Sequence, residues 1–240
     1  MDKPLLYDCY CGGGGASRGY MDAGFRVVGI DNRKQPHYCG DEFIQMDVFD
    51  FFHAVQRGDF LKPIAWHASP PCQAHTCLKA MWNAKKHEDL IPMTRKMLRA
   101  SELPYIIENV PGAPLLAGWN SIILCGTMFG LKTKDGSGEL RRHRLFECSF
   151  YPGLTPPCNH GGPTIGVYGG HGRDRRRTVT VTGHCGGYSR RDGVQSFSVE
   201  QRREAMGISW MSGGELSQAI PPKYTEFLGN RLMQFLETTK

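Results

Sequence analysis

Four consecutive glycines, Gly12-Gly13-Gly14-Gly15, separate an apolar run, Leu5-Leu6-Tyr7-Asp8-Cys9, from a segment at 16–23 that reads as a short helix stopped by Gly24. The glycines carry no side chains, so a ligand can approach the backbone closely there, and Gly24 supplies the permissive φ of a helix stop. Strand, glycine turn and helix are the opening of a nucleotide-type βαβ unit. The next strand, 26–30, ends in Asp31, about 20 positions beyond the turn, the spacing of a ribose-hydroxyl acceptor. On spacing alone a dinucleotide ligand stays open, and so does a solvated turn aspartate.

The alternation continues. A third apolar run at 43–46 is closed by Asp47, a helix is expected at 49–56, and 64–68 reads as a buried strand. Ser69-Pro70-Pro71-Cys72-Gln73 follows, and its two prolines forbid a helix and make a stiff turn. Residues 83–101 are charged and mostly helical, with Pro92 expected to kink the helix or start a new one. After Pro104, a β-type run at 105–107 delivers Glu108-Asn109-Val110. Alternating strands and helices imply an α/β fold with a parallel sheet and right-handed crossovers. Asp8, Asp31, Asp47, Cys72 and Glu108 are therefore expected along one carboxyl edge, where open α/β sheets bind ligands.

A cysteine and a carboxylic acid without an obvious histidine base suit addition of sulfur to an electron-poor double bond. If the substrate is a cytosine ring, Cys72 would attack ring carbon 6 and Glu108 would protonate or hydrogen-bond ring nitrogen 3. Burial in an enclosed pocket would keep Glu108 protonated near neutral pH.

The motifs in this order resemble those of the DNA cytosine-5 methyltransferases. Asp8-Cys9-Tyr10-Cys11-Gly12-Gly13-Gly14-Gly15 resembles that family's S-adenosylmethionine loop, with Tyr10 in place of the usual Phe. Asp31 stands where the family holds the ribose hydroxyls, and Asp47 matches the residue that contacts the adenine amino group. Ser69-Pro70-Pro71-Cys72-Gln73 matches the nucleophile motif and Glu108-Asn109-Val110 the Glu-Asn-Val motif. Arg142-His143-Arg144 resembles the Arg-x-Arg motif that clamps the flipped base and the active-site cysteine. Ala219-Ile220-Pro221-Pro222 with Gly229-Asn230 resembles the last motif, which packs back on the cofactor. The likeness covers about the first 150 residues and the last 45. Leu140, His75, Thr76 and Ser217-Gln218 depart from the family pattern.

The resemblance implies a Rossmann-like S-adenosylmethionine-dependent methyltransferase sheet with a small irregular target-recognition lobe. The expected division is 1–146 catalytic and cofactor-binding, 147–197 recognition, and 198–240 returning to the catalytic domain. Implied catalytic residues are Cys72, Glu108, Arg142 and Arg144. Implied cofactor contacts are Asp8, Tyr10, Cys11, Gly12, Gly13, Gly15, Asp31, Asn32, Asp47, Val48, Ser69 and Pro71. The implied acceptor is double-stranded DNA, with an RNA acceptor such as tRNA, or a catalytically silent DNA-binding protein, as alternatives. A single chain holds both cofactor loop and nucleophile, so an active monomer is expected.

The net charge of +6 is concentrated in the second half, where arginine dominates. Arg173, Arg175, Arg176, Arg177, Arg190 and Arg191, with Gln73, are the expected DNA contacts, since arginine pairs bidentately with phosphates and base edges. Residues 178–182 alternate in β fashion, 198–206 reads as a helix with Ser198 as cap and Gln201 in the capping-box position, and 224–236 as a final helix. Nine cysteines without regular spacing are expected to be reduced thiols. No leader or apolar span opens the chain, so a cytoplasmic, nucleoid-associated enzyme is expected, without membrane contact. The short recognition region points to a solitary or phage-like enzyme, while the resemblance leaves open a restriction–modification partnership with a matching nuclease. Cys148, Cys158, His160, His171, His184 and Cys185 contain no Cys-x-x-Cys pair, and Cys158 and His160 are too irregularly placed for a finger, so no metal is expected.

Overall fold

The computed structural model describes residues 2–75, 88–161, 164–166, 178–180 and 197–239. The chain folds around a seven-stranded sheet of order β3-β2-β1-β4-β5-β8-β6. Its strands are β1 (Leu5–Cys9), β2 (Arg26–Asp31), β3 (Glu42–Gln45), β4 (Ala65–Ala68), β5 (Tyr105–Asn109), β6 (Ser121–Leu124) and β8 (Arg144–Cys148). The first five run parallel, and β8 inserts antiparallel between β5 and β6. The order reverses between β1 and β4, which makes the carboxyl ends of these two strands the topological switch point. β1, β4 and β5 are almost entirely buried, as parallel strands covered on both faces must be.

Helices cover both faces. α2 (Val48–Arg57) and α3 (Ile91–Ala100) cover one side, where Phe51 and Phe52 of α2 meet Tyr7 and Trp66 of the sheet. α1 (Gly15–Asp22) and α6 (Pro222–Thr238) pack on the other against Leu6, Phe25, Ile106 and Phe146. Pro92 starts α3 rather than kinking a longer helix: it sits in the first turn, where its missing N–H costs nothing.

α1 and α6 approach closely because Gly19 has no side chain. A Cβ there would stand 2.1 Å from the Pro222 carbonyl. Thr225 seals the contact by donating to the Ala16 carbonyl at 2.8 Å. The carboxyl-terminal segment thus returns to the first helix of the sheet.

β7 (Glu139–Arg141) leaves the main sheet and pairs in parallel with β9 (Thr164–Gly166), which pairs with β10 (Thr178–Thr180). The main-sheet strand β8 extends to Cys148, and β7, just before it in the chain, carries the smaller sheet. α4 (Val199–Met206) begins with the capping box expected of Ser198 and Gln201. α5 (Gly213–Gln218) has a second box, from Ser212 and Glu215. Among the described residues no helix is long and apolar enough to cross a membrane.

Candidate active site

The glycine loop leaves β1 through two left-handed residues, Tyr10 at φ 61° and Gly12 at φ 50°. The four glycines divide by task. A Cβ on Gly12 would meet nothing within 4 Å, so the loop opens there to free space, whereas one on Gly15 would stand 2.4 Å from the Ile220 carbonyl. Gly12 frees a surface and Gly15 admits the carboxyl-terminal segment. Trp210 adds a second tie from that segment, donating its indole N–H to the Gly13 carbonyl at 2.8 Å. Cys11 is buried and its amide donates to the Ile30 carbonyl at 3.2 Å.

The expected cofactor residues collect around this loop but are not all free to touch a ligand. Asp31 is half-buried at the end of β2 and accepts from the Gly12 amide at 3.2 Å and the Arg33 amide at 2.9 Å. Asn32 is exposed beside it. Asp47 serves as the N-cap of α2, accepting from the amides of Phe49 at 2.8 Å and Asp50 at 3.4 Å, and Val48 behind it is buried. The Tyr10 hydroxyl shares a hydrogen bond with Thr94 at 3.1 Å. Asp8 is wholly buried beneath the loop and accepts from the Ser17 hydroxyl. Burial lifts its carboxyl to about 7, opposed by the Ser17 hydrogen bond and reinforced by Asp31 and Glu108. In this structure Asp8 joins β1 to α1 from inside the fold.

The turn that carries Cys72 is pinned to β5. Asn109 donates from its side-chain nitrogen to the Pro70 carbonyl at 2.9 Å, and the Val110 amide closes back on the Asn109 side-chain oxygen at 2.9 Å. The His75 amide donates to the Cys72 carbonyl at 2.8 Å, and the His75 ring meets Asp89 at 2.9 Å. Cys72 is half-buried, while Pro71 and Gln73 face solvent. Burial raises the Cys72 thiol above its usual value, with Arg144 and Arg142 pulling it down and Glu108 pushing it up.

Glu108 lies at 6% exposure near the end of β5. The antiparallel register Glu108↔Phe146 and Asn109↔Leu145 brings Arg144, the first residue of β8, to that end, where its Nε meets Glu108 Oε1 at 2.8 Å. Burial raises the Glu108 carboxyl, against the pull of Arg144 and Arg142 and a hydrogen bond from Ser69. The two arginines differ in use. Arg144 grips Glu108, whereas the fully buried Arg142 sends Nη2 to the Ser217 carbonyl at 2.9 Å and its own carbonyl accepts from Tyr224. Arg142 therefore ties the site to the carboxyl-terminal segment at Ser217.

Sequence reasoning missed His67 and Tyr20. His67 is fully buried on β4 and links the Tyr20 hydroxyl at 2.9 Å to Ser69 at 2.9 Å, so a polar chain runs from α1 through Ser69 to Glu108. Burial lowers its imidazole to about 3, so the ring is neutral. The clue was one polar residue within the apolar run before Ser69, two positions away and hence on the same face of the strand.

The expected DNA contacts Arg173, Arg175, Arg176, Arg177, Arg190 and Arg191 lie outside the described residues, as do Thr76, Cys77, His171, His184 and Cys185. The seven described cysteines are free thiols.

No family model matches this chain, and no curated protein does. Solved structures do. A protein described as a DNA modification methyltransferase encoded within an E. coli prophage superposes with a TM-score of 0.62 at 12% identity, covering 98% of this chain and 99% of that one. The Entamoeba histolytica methyltransferase EhMeth gives 0.57 at 12% identity over 100% of both chains. The S. pombe Dnmt2 methyltransferase gives 0.55 at 14% identity over 98% and 99%. The fold of this chain is theirs, a mixed α/β methyltransferase fold with a mostly parallel seven-stranded sheet.

Proposed function

We propose that this protein transfers a methyl group from S-adenosylmethionine to carbon 5 of a flipped-out cytosine in double-stranded DNA, through a covalent Cys72 adduct. Its main support is the pairing at the carboxyl ends of β4 and β5: a half-buried cysteine on a turn pinned by Asn109, beside a buried Glu108 held by Arg144 at 2.8 Å. The fold, shared with proteins described as methyltransferases, fits the same reading.

The loop residues suit the cofactor. Gly12 leaves open space at a backbone that a ligand can approach, and the half-buried Asp31 carboxylate beside it suits ribose hydroxyls. Tyr10, Cys11, Gly13, Asn32, Asp47 and Val48 surround the same edge, with Asp8 and Gly15 shaping the loop from within and Ser69 and Pro71 leading to the nucleophile. When bound there, S-adenosylmethionine supplies an electrophilic methyl carbon.

The chain's own residues do the rest. The target base must leave the stack, at a cost of about a few kcal/mol, before its ring face is accessible. Cys72 gives up its proton and its sulfur adds to ring carbon 6, with Arg144 favouring the thiolate. Glu108 donates to ring nitrogen 3, so negative charge does not build up on the ring and carbon 5 becomes nucleophilic. Burial raises the Glu108 carboxyl, which favours the protonated form this donation needs. After carbon 5 has accepted the methyl group it loses its proton to water, and that bond's electron pair re-forms the carbon 5–carbon 6 double bond. The sulfur–carbon 6 bond breaks with its pair on sulfur, and ring nitrogen 3 returns its proton to Glu108.

The test is covalent trapping with S-adenosylmethionine and a mixed-sequence duplex containing 5-fluorocytosine, where fluorine blocks the final elimination. A denaturation-resistant adduct formed by the wild type but not by Cys72→Ser is the expected result. An adduct on fluorinated RNA alone would replace DNA as the acceptor, and none on either would overturn the reading.

A further inference from the structure

Away from Glu108 and Cys72, four soft ligands converge: Cys125, His143, Cys158 and His160, whose ligating atoms all lie within 4.8 Å of one another. Their meeting follows from sheet register. Leu124 pairs with Arg144 between the antiparallel β6 and β8, so the next residue of one strand, Cys125, stands opposite the preceding residue of the other, His143. The segment after β8 then folds back and supplies Cys158 and His160.

The separations suit a single ion. Cys125 Sγ lies 3.6 Å from His160 Nε2, Cys158 Sγ 3.5 Å from His143 Nε2, and Cys158 Sγ 2.6 Å from His160 Nε2. In a tetrahedral zinc site, with bonds of about 2.0–2.3 Å, neighbouring ligand atoms stand roughly 3.3–3.8 Å apart. Two of these distances already match, and the third is a thiol–imidazole hydrogen bond that an ion would open. Both histidines present Nε2 to the cluster. The Thr127 hydroxyl lies 3.4 Å from Cys125 Sγ and 3.5 Å from Cys158 Sγ, the outer support that metal thiolates use.

We propose that Cys125, His143, Cys158 and His160 form a closed structural zinc site that fixes the turn between β7 and β8 and the root of the recognition lobe. Two thiolates, formed by release of two protons, and two neutral imidazoles would neutralise the dication, and four protein ligands leave no position for chemistry. Thiolate with imidazole selects zinc over calcium or magnesium. The consequence reaches the active site through one residue: His143 lies between Arg142 and Arg144, and its carbonyl accepts from Arg144 Nη1 at 2.9 Å.

The test uses the full chain, produced without a histidine tag in zinc-supplemented medium and purified under reducing conditions. Elemental analysis is expected to give about one zinc per chain, and cobalt exchange the visible bands of a tetrahedral thiolate site. Both signals are expected to fall to under about a tenth in Cys158→Ser/His160→Ala, whereas Cys39→Ser retains them. Stripping the wild type with a chelator is expected to lower its Tm and restoring zinc to recover it, which serves even where the double variant does not fold. Wild-type protein without metal after zinc reconstitution, metal that persists in the double variant, or a Cys125–Cys158 disulfide in protein kept reduced would each overturn the site.

Discussion

The Cys72–Glu108 edge and the Cys/His cluster occupy the same end of one sheet, yet they are held by different means. At the Cys72–Glu108 edge, strand register does the positioning: β4 and β5 end side by side, Asn109 fastens the Cys72 turn, and β8 delivers Arg144 to Glu108. In the cluster, register contributes only Cys125 and His143, while Cys158 and His160 arrive on a segment, 149–161, with no helix or strand of its own. A site built on adjoining strand ends is stabilised by the core that makes the sheet. One built partly on irregular backbone needs its own crosslink, and a metal ion is the crosslink those four side chains can bind.

The contrast predicts where damage stays local. Glu108→Gln keeps the shape of the carboxyl but removes the acid, so turnover is expected to fall by about 10²–10⁴-fold. Cofactor affinity measured by calorimetry should be nearly unchanged, as should zinc content. A Glu108→Gln enzyme with wild-type turnover would remove Glu108 from the mechanism.

Arg144→Met is expected to cost stability as well as activity. Removing one partner of a buried ion pair costs about 3–5 kcal/mol when the other charge remains. Glu108 can escape that cost by protonation, because burial raises its carboxyl. The sign follows: the folded state holds the proton above the pH at which the unfolded chain releases it, so stability falls as pH rises. Urea unfolding should therefore show a loss that grows as pH is raised. A pH-independent loss would mean that Arg144 acts through packing alone.

The same division explains what the sequence made legible. Alternating apolar runs and turn residues were enough to locate β1, β2, β4 and β5 and to place Asp31, Cys72 and Glu108 along one edge, because parallel order follows from strand–helix alternation. The Ser198 capping box was equally readable, being a local bargain between two side chains and two amides. Asp47 shows a limit: a residue in the position of a ligand contact also caps α2, and sequence does not say which use engages its oxygens. Cys125 shows another. Its partners lie 18, 33 and 35 positions away, and only the antiparallel insertion of β8 beside β6 brings the first of them across from it. Spacing rules for zinc fingers look for paired ligands close in the chain, and this set has just one such pair, Cys158 with His160.

The smallest expected effect concerns His67, the buried histidine beneath the Cys72–Glu108 edge. The two cluster histidines reach Cys158, whereas His67 is sealed among Tyr20 and Ser69 and held neutral, its imidazole lowered to about 3 by burial. An unfolded imidazole takes up its proton near pH 6.5, so as pH falls from 7 to 5 the unfolded chain gains a proton that the folded chain refuses. One such proton is worth about 2 kcal/mol over that interval, lost from stability on acidification. Wild-type protein is expected to show this loss in urea unfolding, reduced by about that amount in His67→Gln, whose amide can still reach both neighbours. Ring nitrogen shifts should report a neutral His67 down to about pH 4. A ring that titrates near pH 6.5 would mean that solvent enters beneath Ser69, and with it that the polar chain from Tyr20 to Glu108 is open rather than buried.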